Sequence, residues 1–128
     1  LTLGAQLCLR RKRPASTLYS EASTSRTVTG NTADLDLPPT VSELFVGVNL
    51  TVLSGAGANV TVQFQQKDAN GVYHTLAATS AISAVGTAFL HLPAGTNVFA
   101  TGTGQYRIRW VMAGTVTTCS FQVGITAR

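Results

Sequence analysis

The sequence predicts an all-β protein: an antiparallel β-sandwich, immunoglobulin-like or jelly-roll in arrangement, with an extended N-terminal arm. Three observations predict it. Apolar residues recur with a period of two in segment after segment from Val41 onward. Turns containing Gly, Asn or Pro separate those segments at regular intervals. No window carries the 3.6-residue period of an amphipathic helix.

With 128 residues the chain suits a single domain. A chain of that size buries about two-thirds of its unfolded surface, enough for a core without staples. The first forty residues differ from the rest. Leu1 to Leu9 is short and mixed, Arg10-Arg11-Lys12-Arg13 follows, and Ala15 to Thr32 is rich in Ser, Thr and Ala. Such a stretch offers few large apolar side chains to a core of its own. Pro38-Pro39 cannot donate to a ladder and acts as a stop before the first strong strand. Residues 1–40 are therefore expected to form an extended arm, with one strand at Ala33–Leu37, and residues 41–128 the sandwich domain. An arm of this kind is ordered only when something holds it, and a neighbouring subunit is the expected holder. Fully extended it would reach about 130 Å.

The strands follow in order. Leu44, Val46, Val48, Leu50 and Val52 fall on one face of the first, with Phe45, Gly47, Asn49, Thr51 and Leu53 on the other. Val60, Val62 and Phe64 alternate with Thr61, Gln63 and Gln65. Weaker strands are expected at Val72–Ala77 and Thr87–Leu92, and Thr79–Val85 reads as a short turn or strand. Tyr106, Ile108, Trp110 and Met112 alternate with Arg107, Arg109 and Val111. Thr117, Cys119, Phe121, Val123 and Ile125 form the inward set of the last strand. Alternation of this kind marks half-buried strands of antiparallel sheets. The run from Ser54 to Asn59, the Asp68-Ala69-Asn70-Gly71 turn and Ala113-Gly114-Thr115 join them. Pro93 to Asn97 and Gly102 to Gly104 bound an irregular segment around Val98-Phe99.

Charge is concentrated. The net charge of +4 equals the charge of Arg10, Arg11, Lys12 and Arg13; Arg26, Lys67, Arg107, Arg109 and Arg128 balance Glu21, Asp34, Asp36, Glu43 and Asp68. This argues against a uniformly basic nucleic-acid-binding domain. No segment reaches the roughly 18 continuous apolar residues of a membrane helix. The basic residues follow a short apolar stretch, the reverse of a secretory signal. Cys8 and Cys119 match no metal or redox spacing and are expected to be reduced thiols, a Cys8–Cys119 disulfide being the second reading.

Catalysis finds little support. His74 and His91 lie in strand patterns without an acid beside them in sequence, the carboxylates are scattered, and no serine sits in a nucleophile elbow. Gly55-Ala56-Gly57 and Gly102-Thr103-Gly104 lack the following helix that a phosphate loop needs, so they read as β-turns. Asn49-Leu50-Thr51 and Asn59-Val60-Thr61 match the glycosylation tripeptide without a secretion signal. The chain is expected to be no enzyme and to need no cofactor, metal or small-molecule substrate.

Candidate partner-binding residues are Arg10, Arg11, Lys12 and Arg13, together with Arg107 and Arg109 on the outward face of their strand. The basic run suits an acidic protein surface. Four neutralised phosphates would give a salt slope of only about −4, and no aromatics interleave for base stacking, so nucleic acid is disfavoured. Trp110, opposite the two arginines, is expected to anchor the core.

The run Leu44 to Val48, the run Asn59 to Gly71 and the run Gln105 to Thr115 together resemble small β-sandwich structural proteins of tailed bacteriophages, several of which decorate or cement the head. The resemblance covers roughly residues 43–126. Its most specific part is Tyr106-Arg107-Ile108-Arg109-Trp110 followed by the Gly114-Thr115 turn. It implies a non-enzymatic virion protein that binds the major capsid protein and copies of itself on the capsid surface, after assembly in the host cytoplasm. A neck or tail protein is the alternative the resemblance leaves open, including a receptor- or glycan-binding module using Tyr73 or Phe99. No membrane contact is expected.

Overall fold

The computed structural model describes residues 16–37, 41–93 and 102–128. Ten antiparallel strands make two sheets: β1 Ser16–Ser20, β2 Thr24–Ser25, β3 Gly30–Asn31, β4 Leu35–Leu37, β5 Leu44–Ser54, β6 Asn59–Lys67, β7 Tyr73–Ala78, β8 Gly86–Leu92, β9 Gly102–Ala113 and β10 Thr118–Ala127. Sheet I has the order β1-β10-β5-β8, with β2 also on β10; sheet II has the order β3-β9-β6-β7, with β4 also on β9.

The pairings nest. The β6–β7 hairpin is innermost, β5 pairs with β8, β9 with β3 and β4, and β10 with β1 and β2. One long hairpin, its tip at the Asp68–Gly71 turn, is thus wound into two facing sheets. That is a jelly-roll, and it decides between the two sandwich arrangements that the strand pattern left open. At the tip, the Asp68 carboxylate accepts the Asn70 and Val72 amides, and Gly71 takes a φ of +83° that a side chain would resist.

The core lies between the sheets. Leu44, Val46, Val48 and Leu50 of β5, Val60, Val62 and Phe64 of β6, Tyr106 and Ile108 of β9, and Cys119, Phe121, Val123 and Ile125 of β10 are buried, as their alternation requires. Phe64 stacks on Tyr106 with ring centres 5.5 Å apart. Val52 departs from its expected face. The β5–β10 ladder shifts register between Ser120 and Phe121, so Leu50 faces Phe121 while Val52 faces Ser120. This bulge adds Thr51 and inverts the alternation beyond it: Val52 is exposed and Leu53 packs on the core.

Residues 16–37 depart from the expectation of an arm held by a neighbour. They pair with their own body. β1 and β2 cover the edge of β10, the chain crosses between sheets, and β3 and β4 cover the edge of β9. Where these short strands lapse, side chains complete the ladder. Glu21 Oε1 accepts the Val123 amide, Thr32 Oγ1 the Ile108 amide and Thr29 Oγ1 the Met112 amide. The segment has few large apolar side chains to bury, and it is held mainly by backbone groups that β9 and β10 would otherwise leave unpaired.

One ion pair locks the crossing. Arg26 enters the gap between the sheets, its guanidinium 4.5 Å from the Trp110 ring centre and 4.4 Å from that of Phe121. It grips both oxygens of Glu21 at 2.7 and 2.6 Å and donates to the Phe121 carbonyl at 2.9 Å. Tyr19 donates to the same carboxylate at 2.7 Å, and burial, then that hydrogen bond, pushes the Tyr19 hydroxyl up to about 12. Trp110 packs on the core as expected, its Nε1 donating to the Val28 carbonyl.

Candidate interaction surface

The two outward sheet faces differ in chemistry. On sheet II polar groups pair with one another. Lys67 bonds Asp34 at 2.8 Å, Tyr73 donates to the same carboxylate, and the Arg107 guanidinium lies 3.5 Å from the Tyr73 ring centre. The hydrogen bond from Lys67, then that from Tyr73, holds the Asp34 carboxyl below the usual carboxylate range. Arg107 Nε donates to Gln65 Oε1, and Gln65 Nε2 donates to Thr75 Oγ1. Arg109 Nη1 donates to Asn31 Oδ1 at 3.2 Å. The two arginines therefore share one face, as the alternation requires, and both are engaged within the chain. Arg10, Arg11, Lys12 and Arg13 lie outside the described residues, as do Cys8 and Phe99. Cys119 is a buried free thiol whose pKa burial raises.

Both histidines meet a carboxylate that the linear sequence did not place beside them. His74 Nε2 lies 2.7 Å from Asp68 Oδ2, and His91 Nε2 lies 2.8 Å from Glu43 Oε2. The His74 hydrogen bond, then the Val72 amide, lowers the Asp68 pKa. Among the described residues no three His, Cys, Asp or Glu side chains converge as a metal site would require.

On sheet I the outward face is apolar at one end. Phe45 of β5 and Phe89 of β8 stack with ring centres 5.3 Å apart and planes inclined by 16°, yet remain 44% and 63% exposed. The sequence placed Phe45 outward but did not single out this pair. The signal was available: Phe45 and Phe89 both sit among polar alternates, and only the β5–β8 register brings them together. Phe45 faces His91 and Gly47 faces Phe89, so the rings meet on a diagonal. A glycine pair, Gly47 opposite Gly124, leaves the sheet bare beside them. Two shallow hollows result. One, of about 400 Å³, runs from the rings to Glu43, His91 and Arg128. The other, of about 430 Å³, lies over Gly47, Gly124 and Gln122. Arg128 lies 3.6 Å from Glu43, and its buried Nε has no hydrogen-bond partner among the described residues.

Exposed apolar side chains scattered singly need no explanation, but a stacked aromatic pair beside open hollows is how a protein surface presents a contact site. This arrangement can seat an apolar side chain of a partner, with Arg128 and Glu43 at its rim.

No protein-family model matches the chain. No curated protein matches it either. Among solved structures it is similar to a chain of the cowpea mosaic virus empty virus-like particle, with 16% identity and a TM-score of 0.37, over 92% of this chain and 82% of that one. The jelly-roll assignment rests on the strand order itself.

Proposed function

We propose that the chain is a non-enzymatic structural protein of a virion, a head decoration protein that binds the major capsid protein and reinforces the shell. The observation that carries the reading is the Phe45–Phe89 stack, an aromatic anchor exposed on the outward face of sheet I, whereas the polar groups described on the face of sheet II pair with one another. The resemblance to phage head proteins in the runs at 44–48, 59–71 and 105–115 supports it. The jelly-roll alone does not, because that fold also serves as lectin and cupin. Many weak contacts repeated over a shell add up to firm attachment.

Quantitative mass spectrometry of purified virions tests the placement. A copy number comparable to that of the capsid subunit is expected. A handful of copies per particle moves the protein to the neck or tail. Co-sedimentation with undecorated shells tests the surface: Phe45→Ala with Phe89→Ala is expected to abolish binding, and unchanged binding refutes this face as the contact. A second reading, a receptor- or glycan-binding tail module, draws on the same exposed Phe89 ring. Tyr73 favours it less, since Arg107 covers its ring. A glycan array without signal removes it.

A further inference from the structure

The outer edge of β8 is a strand-pairing site whose partner is a second copy of the same edge, we infer from the direction of its backbone groups. Glu43 and Arg128 exchange both backbone hydrogen bonds, at 3.0 and 2.9 Å. In an antiparallel ladder such pairs alternate. Phe45 opposite Thr126 and Gly47 opposite Gly124 therefore bond in turn, and the odd positions of β5 point their backbone groups at β10. The even positions, Leu44, Val46 and Val48, bond to Leu92, Leu90 and Ala88 of β8. Thr87, Phe89 and His91 are left with N–H and C=O groups directed away from the sheet. Among the described residues no strand pairs with that side of β8.

This edge is self-complementary. A two-fold axis at Phe89 pairs Phe89 with its symmetry mate and Thr87 with His91 of the second copy, using all three outward positions in hydrogen-bonded pairs. The two sheets I would become one continuous sheet. On its outer face the Phe45–Phe89 stack would run on into the same stack of the second copy, giving a ribbon of four rings where each Phe89 is now 63% exposed. Charge does not oppose it, because the stretch from Gly86 to Leu92 carries no acidic or basic side chain apart from His91. The ladder with β5 runs without a register shift, so no bulge turns the edge away. A single strand pair with four rings falls at or below the roughly 1,200 Å² of a stable interface, so the contact is weak in isolation and suits a concentrated or arrayed setting. The inference goes beyond shell binding and does not rest on it.

Sedimentation equilibrium of the purified chain tests it. The mass is expected to rise toward twice that of the monomer as the concentration enters the range of about 0.1 to 1 mM. Thr87→Pro removes an outward N–H and leaves the ladder to β5 whole; it is expected to weaken association at least tenfold with an unchanged near-ultraviolet spectrum. Should that variant misfold, Phe89→Lys reads the same edge through a side chain that is already exposed. Phe89→Cys in a Cys8→Ser background is expected to cross-link to itself, since paired Cα atoms about 5.5 Å apart fall within disulfide reach. A wild-type chain that stays monomeric to 1 mM overturns the inference. So does Phe89→Lys associating as the wild type does. Both results leave the shell-binding reading to be judged on particles.

Discussion

The sandwich has two long sides, and they are finished differently. On one, residues 16–37 cover β9 and β10 with strands of five, two, two and three residues, broken by the crossing between sheets. On the other, the edge strands are β7 and β8. β7 is interrupted by a register shift opposite Phe64 and Gln65 and carries near its start His74, which pairs with Asp68 of the preceding turn. β8 is seven residues long and regular. Short, bulged or charged edges discourage pairing with other chains, and long regular ones invite it. Among the described residues, three of the four edge regions are thus blunted and β8 is not. The difference implies that stability is concentrated on the N-terminal side and association on the β8 side, which makes the two separable by substitution.

The largest effect is expected at Glu21. Its carboxylate and the Arg26 guanidinium are only 14% and 11% exposed. Glu21→Ala leaves a buried cation between two aromatic rings and frees the Val123 amide, at a cost of about 3 kcal/mol or more. The denaturant midpoint checks it, and a loss below about 1 kcal/mol would show that the N-terminal segment is merely laid on the body. The next effect is at Tyr19. Its pKa is higher folded, about 12, than the ordinary 10.0. Its contribution is therefore fully present below pH 10 and is lost as pH rises from 10 toward 12. Tyr19→Phe is expected to cost about 1.5 kcal/mol at pH 7 and to flatten that part of the stability profile; a profile as steep as the wild type's assigns the loss to other groups.

Much of this was legible in the sequence. The period of two located β5, β6, β9 and β10 because each buries a full face, and Asn70-Gly71 announced the hairpin tip. What escaped has physical reasons. The bulge at Thr51 leaves no compositional mark, so alternation alone puts Val52 on the wrong face. The lacing of residues 16–37 depends on backbone groups of strands nearly a hundred residues away, which no local pattern reports. The Arg26–Glu21 pair looked like two balancing charges among many. Phe89 fell in a weak strand, and its meeting with Phe45 follows from register alone.

A smaller effect is expected on the closed side at Thr32. Its hydroxyl accepts the Ile108 amide at 3.1 Å, and its own amide bonds the Ile108 carbonyl. Thr32→Val keeps the shape and removes the acceptor, leaving a part-buried donor unpaired at about 1 kcal/mol. Hydrogen exchange at the Ile108 amide is the sharper readout: it should accelerate severalfold, with distant amides of β6 unchanged. Uniform acceleration over both sheets would mean that this edge has no local opening of its own.

The smallest effect on folding is expected on the open side, and its smallness is the point. Phe89 is mostly exposed and meets one ring, Phe45. A stacked pair is worth about 0.5 to 1.5 kcal/mol when buried and less when wet on one face, so Phe89→Ala should shift the unfolding free energy by under about 1 kcal/mol. The side chain faces out, and the β8 backbone it stands on is already bonded to β5. A loss of 3 kcal/mol would mean that the ring serves the fold, and would remove the reason to read it as a contact surface. A loss of under 1 kcal/mol combined with lost association would locate stability and association on opposite sides of one small jelly-roll.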